Sequence, residues 1–191
     1  MNIRSFIAID PSEFVLESLG EFLKKVDKNT QGVRWVHEGG IHLTLRFLGE
    51  IEEEIVIQVK ERLIKVATQL PSFELMTKGI GFFPHISRPR IVWVGLDGEV
   101  ERLQQLKSAV TMSVADLKIH PEEDRAFQPH LTLGRIRDSK ALVGLVAIEE
   151  EGRKLRSEKF RVEELILYKS ELTPKGARYT RLASFRLTGG N

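Results

Sequence analysis

Apolar positions along this chain follow two periods, and stretches of each period alternate. Ile3 to Ile9 is an apolar run of strand length, closed by Asp10-Pro11. Val15, Leu19, Phe22 and Val26, with Leu16 and Leu23 beside them, recur at helical spacing and predict an amphipathic helix to about Asp27. Asp10 or Ser12 is placed to cap it, and Pro11 suits its first turn. After a turn at Asn29 to Gly32, Val33-Arg34-Trp35-Val36 reads as a short strand. Glu38-Gly39-Gly40 then leads into a strand that opens at His42 and is expected to stop at Gly49. The helical period returns from about Glu52 to Leu70, with Ile55, Val59, Leu63 and Val66 on one face and Pro71 ending it.

The same rhythm follows once more. Phe73 to Phe83 is strand-rich, a loop passes through Pro84, Ser87 and Pro89, and Arg90 to Leu96 is a strand of β-branched and aromatic residues. Asp97-Gly98 reads as a turn, and Val100, Leu103, Val110, Val114 and Leu117 mark a helix over about Glu99 to Leu117. Beyond the polar stretch Lys118 to Gln128, a second strand opens at His130, and a weaker helix is expected from about Ser139 to Glu151. Phe160 to Leu172 reads as one long alternating strand, with Pro174-Lys175-Gly176 as a hairpin turn and Tyr179 to Leu187 as the returning partner. Nothing in this order resembles a linker. The expectation is a single domain over 1–191 with two α+β halves, about 1–70 and 73–150, and a hairpin at about 160–187 completing one sheet.

The two strands that open on histidine begin with the same tetrapeptide, His42-Leu43-Thr44-Leu45 and His130-Leu131-Thr132-Leu133. Strand alternation sends His and Thr to one face and both leucines to the other. A lone His-x-Thr is ordinarily a satisfied histidine beside a β-favouring threonine. Histidine occurs only five times in the chain, however, and two of the five open this tetrapeptide. A duplicated scaffold would need the leucines to recur, not the His and Thr. If both strands line one cleft, they supply an acid, a base and hydroxyl donors. Continued alternation adds Arg46 to the same face. Tyr168 reads first as a core residue with its hydroxyl bonded at the strand edge.

Composition narrows the chemistry. The chain has 191 residues, 41% of them hydrophobic and 29% charged, with a formal charge of +2, which suits a globular protein with an anionic ligand of modest size. Cysteine is absent, which removes disulfides, thiolate metal sites and cysteine nucleophiles. No apolar run approaches the ~20 residues of a membrane helix, and the first residues lack a signal-peptide pattern, so a cytoplasmic protein is expected. His37 and His42 are five apart with two glycines between them, which defeats a helical zinc motif. Neither a dinucleotide fingerprint, a P-loop nor a nucleophile elbow occurs.

With both motifs in view, the sequence resembles the 2H (two-histidine) phosphoesterase superfamily, and within it the RNA 2′,3′-cyclic phosphodiesterases, also called 2′-5′ RNA ligases. The likeness extends to Arg4 to Ile9, Leu43 to Gly49, Pro89 to Gly95, Phe127 to Arg135, and Leu167 to Leu172 followed by Tyr179. It implies a bilobal α+β fold, each lobe an antiparallel sheet with flanking helices, and a cleft between the lobes. It also implies hydrolysis of an RNA 3′-terminal 2′,3′-cyclic phosphate to a 2′-phosphate without metal or cofactor, with 2′-5′ ligation as related chemistry. His42 would be the proton donor and His130 the proton acceptor, with Thr44 and Thr132 binding phosphate and Arg46 and Tyr168 contacting substrate. The expected partners are cyclic-ended RNA or small cyclic nucleotides, taken by a monomer without membrane association. The rival reading is a non-catalytic module that binds nucleotides or RNA ends.

Overall fold

The structure, a computed structural model, describes residues 2–120, 126–137, 142–155, 158–174 and 176–190. The first strand, β1 (Asn2–Ile9), runs into helix α1 (Glu13–Asp27), and a short strand β2 (Val33–Trp35) precedes a single 3-10 turn at Glu38–Gly40. Strand β3 (Leu43–Glu52) and helix α2 (Glu53–Gln69) complete the first half, and strand β4 (Phe73–Phe83) opens the second. Strand β5 (Ile91–Gly98), helix α3 (Val100–Ser113), strand β6 (His130–Ile136) and helix α4 (Leu145–Lys154) follow. Three strands close the chain: β7 (Lys159–Val162), β8 (Glu164–Thr173) and β9 (Gly176–Arg186).

All pairings between these strands are antiparallel, and they form two sheets, ordered β3-β1-β8-β9 and β2-β6-β5-β4-β7. The α+β architecture with two antiparallel sheets and flanking helices is as expected, and the chain's first and second halves each supply the centre of one sheet, with one strand and two helices exchanged. β2, from the first half, joins the sheet of β4, β5 and β6. β8, from the end of the chain, pairs with β1. The helices cross over as well: α1 packs with α4 and β2, and α3 with α2 and β3. The strand order has a local origin. β4 and β5 are joined by a short loop, and consecutive antiparallel strands pair with each other in preference to distant ones. That leaves the second edge of β1 unpaired, and β8 satisfies it. One buried apolar cluster, from Ile7 and Leu19 through Leu63 and Leu131 to Phe185, continues through both sheets.

Several boundaries differ from the sequence expectation. Ser12, not Asp10, caps α1, its Oγ accepting from the Val15 N–H at 3.4 Å, which frees Asp10. β3 does not stop at Gly49. That glycine adopts φ 75° inside the strand, and β3 continues to Glu52. The segment read as one strand from Phe160 is two, β7 and β8, placed in different sheets. Asp97-Gly98 ends β5 instead of forming a separate turn. Helix α4 starts at Leu145, while Ser139 and the turn residue Lys175 lie outside the described residues.

Candidate active site

His42 immediately precedes β3 and His130 is the first residue of β6, so each imidazole stands at the mouth of its strand. Thr44 pairs with Ala8 of β1, and Thr132 with Trp93 of β5. The face carrying them is distinct from the core face, where Leu43, Leu45, Leu131 and Leu133 are buried. The division of each tetrapeptide into core leucines and cleft-facing His and Thr therefore follows the alternation.

One residue later the alternation breaks, and it breaks identically in both strands. Opposite Ala8 and Ile7 stand Thr44 and Arg46, and opposite Trp93 and Val92 stand Thr132 and Gly134. Leu45 and Leu133 are thus the extra residues of two equivalent bulges, and a single extra residue moves everything after it to the other face. Arg46 is turned away from the cleft, contrary to the sequence expectation. It pairs with core-facing Ile7, is 8% exposed, and donates from Nη2 to the His120 carbonyl at 2.8 Å. Its role is to tie β3 to the segment after α3. The residues brought onto the cleft face instead are Phe47, with its ring centroid 6.0 Å from Phe6, and Arg135, paired with Ile91. The positive charge of Arg135 bears on both imidazoles. Sequence reasoning missed Arg135 because parity counted along the strand passes over a bulge, and Leu-Thr-Leu carries no bulge signal.

Both histidines sit in aromatic surroundings. The His42 ring stacks on Phe6 at 4.7 Å and meets the edge of Tyr179 at 4.9 Å, with Tyr168 at 6.0 Å. Burial pushes its pKa down to about 4; Asp10 and the Gly40 backbone oppose this, and Arg135 and His130 add to it. His130 meets Phe83 edge-on at 4.9 Å and Trp93 at 6.1 Å, and burial lowers its pKa as well. Its Nδ1 lies 2.8 Å from the Gln128 carbonyl. A carbonyl only accepts, so Nδ1 carries the proton and Nε2 is left for the cleft. Each imidazole is thus held by backbone two residues upstream, Gly40 for His42 and Gln128 for His130. The two rings are near enough for charge on His130 to depress the pKa of His42.

Tyr168 is 8% exposed, with its ring stacked on Phe6 at 5.2 Å. Its hydroxyl donates to Asp10 Oδ2 at 2.7 Å, and the same carboxylate oxygen accepts from Arg181 Nη2 at 2.6 Å. Burial and the Asp10 bond push the phenol up to about 12, so it stays neutral. The reading of Tyr168 as a packed residue with a bonded hydroxyl describes these contacts, and its ring forms part of the wall around His42. Asp10 and Arg181 escaped sequence reasoning because they lie at opposite ends of the chain. Among the described residues no group of three His, Asp or Glu side chains is arranged to hold a metal ion.

The chain is similar to known proteins over nearly its whole length. The sequence model described as LigT like phosphoesterase matches twice, over residues 9–93 and 94–179, one His-Leu-Thr-Leu motif falling in each match. An RNA 2′,3′-cyclic phosphodiesterase of Aquifex aeolicus is 33% identical, the alignment covering 98% of each chain. A solved structure from Thermus thermophilus superposes with a TM-score of 0.82 at 30% identity, covering 98% of this chain and all of the other. E. coli LigT in complex with 3′-AMP superposes with a TM-score of 0.78 at 25% identity, covering 98% and 99%. The fold, the doubled motif and the full-length similarity lead to one assignment: this chain belongs to the LigT-like phosphoesterase family, within the 2H phosphoesterases.

Proposed function

We propose that the protein hydrolyses the 2′,3′-cyclic phosphate at an RNA 3′ end to a 2′-phosphate, using His42 and His130 as acid and base. The observation that carries this reading is the pair of equivalent bulged strands, each presenting an imidazole and a hydroxyl to one cleft that also receives Arg135. The name of the Aquifex aeolicus relative and the nucleotide bound to E. coli LigT support the substrate class.

In the proposed reaction His130 Nε2 takes a proton from water as the water oxygen attacks phosphorus in line with the 3′ oxygen. The phosphorus–3′ oxygen bond breaks, and His42 donates a proton to the departing oxygen. Thr44 and Thr132 hydroxyls donate to the non-bridging oxygens, and Arg135 offsets the charge gathering on them. The direction, with His42 as donor, follows from the family resemblance, since the two half-sites are alike. With its pKa near 4, His42 is neutral in the free protein at neutral pH. The phosphodiester anion must raise that pKa for His42 to act as donor, as a nearby negative charge does. With the 5′-hydroxyl of a second RNA in place of water, the same steps give a 2′-5′ linkage.

Incubating a cyclic-ended RNA with the protein, with and without a 5′-hydroxyl RNA, tests the proposal. Conversion to a 2′-phosphate end is expected in both mixtures, and a joined product in the second would add ligation. Binding without turnover would favour the rival reading of a non-catalytic module.

A further inference from the structure

The wall beside His130 holds a feature that acid–base chemistry does not use. Trp93 and Phe83 stack with centroids 4.9 Å apart and planes 29° apart. Both rings are only partly buried. They stand on the same face as His130 and Thr132, because Trp93 pairs with Thr132 and both rings contact the His130 imidazole. The opposite face of β5 and β6 is closed, with Val92, Val94, Leu131 and Leu133 fully buried. Whatever aromatic surface remains open is therefore open to the cleft.

The indole is laid against the sheet by a glycine. Gly81 pairs with Trp93, and a β-carbon placed on it would run into Cζ2 and Cη2 of the indole. Gly81 is not among the positive-φ glycines, so the need for it is the space under the ring. The indole Nε1 is also buried without a hydrogen-bond partner, a cost that a purely structural tryptophan ordinarily avoids. A flat indole in stacked register with a phenyl ring, with open surface facing a phosphate-handling cleft, has the form of a base-stacking platform.

We infer that the Trp93–Phe83 pair, seated on Gly81, is the site that stacks the nucleobase of the cyclic-ended nucleotide. This rests on the proposed nucleotide substrate and adds what holds its base. Stacking accepts every base, so the site favours nucleotides over bare sugar phosphates without selecting sequence.

The chain has two tryptophans, so a Trp35→Phe protein reports on Trp93 alone. Titrated with 2′-AMP, its emission should quench saturably, whereas ribose 2′-phosphate, which has no base, should bind on the order of 5- to 100-fold more weakly and leave the emission unchanged. In Trp93→Leu, followed by calorimetry, the two ligands should bind with similar affinity, and Trp93→Phe should restore part of the preference. Retained binding of ribose 2′-phosphate shows that the leucine variant is folded. Equal affinities in the parent protein, or a base preference that survives Trp93→Leu, would overturn the inference. Base-dependent quenching without cyclic-phosphate hydrolysis would keep this site and remove the hydrolase reading. Hydrolysis with an unaltered base preference in Trp93→Leu would do the reverse.

Discussion

At the scale of single residues, the depressed histidines give the site a pH signature. The proposed reaction needs one imidazole charged and one neutral, and both pKa values lie below their ordinary value, His42 near 4. The profile of kcat/KM, which reports the free enzyme, should therefore be bell-shaped with its maximum below about pH 6.5. The kcat profile should lie at higher pH, because bound phosphate raises His42. A kcat/KM maximum on the alkaline side of 7 would contradict this. The same shift couples to stability. Between about pH 6.5 and 4 the unfolded chain takes up a proton at His42 that the folded chain refuses. Stability should thus fall as pH is lowered through that window, by about 3 kcal/mol for a shift of this size. Melting temperatures of His42→Asn and the parent, followed from pH 7 to 4, should converge as the pH drops. The two arginines should separate cleanly. Arg135→Leu should lower kcat/KM on the order of 10- to 100-fold with little change in melting temperature. Arg46→Leu should instead cost about 1–3 kcal/mol of stability, through loss of the charged hydrogen bond to the His120 carbonyl, and leave turnover near the parent value.

At the scale of elements, the paired bulges decide which side chains reach the cleft. Leu45 and Leu133 each add one residue after the Thr, so Phe47 and Arg135 replace Arg46 and Gly134 on the working face. The faces of His42, Thr44, His130 and Thr132 were legible because they precede the bulge. The face of Arg46 was not, because backbone register is a property of two strands and the sequence displays one at a time. The split of the Phe160 segment into β7 and β8 was hidden for the same reason: alternation continues while the sheet partner changes. Ser12 and Asp10 were equally good caps by composition, and only the tertiary bonds of Asp10 to Tyr168 and Arg181 separate them. The leucines hold the motif strands in place from the core side. Leu131 is fully buried, so Leu131→Ala should cost about 2–5 kcal/mol in denaturant unfolding and reduce activity only through loss of folded protein.

At the scale of the molecule, the first half lends β2 and α1 to the second sheet's side, the second half lends α3 to the first, and the end of the chain completes both sheets. The cleft is built from both ends of the sequence. Asp10 and Arg181 meet beside His42, while Phe83, Trp93 and His130 face it from the second sheet. No described helix is long and apolar enough to cross a membrane. In the proposed reaction phosphate charge is met by Arg135 and hydroxyl donors, so turnover should persist after exhaustive chelation with EDTA. A strict metal requirement would count against the proposed roles. The most direct measurement is phosphorus NMR of a 2′,3′-cyclic-ended RNA during turnover by the parent protein, His42→Ala and His130→Ala. The account predicts a 2′-phosphate as the product of the parent, and a loss of rate on the order of 10²–10⁴ in each variant. A 3′-phosphate product, or full rate in either histidine variant, would contradict it.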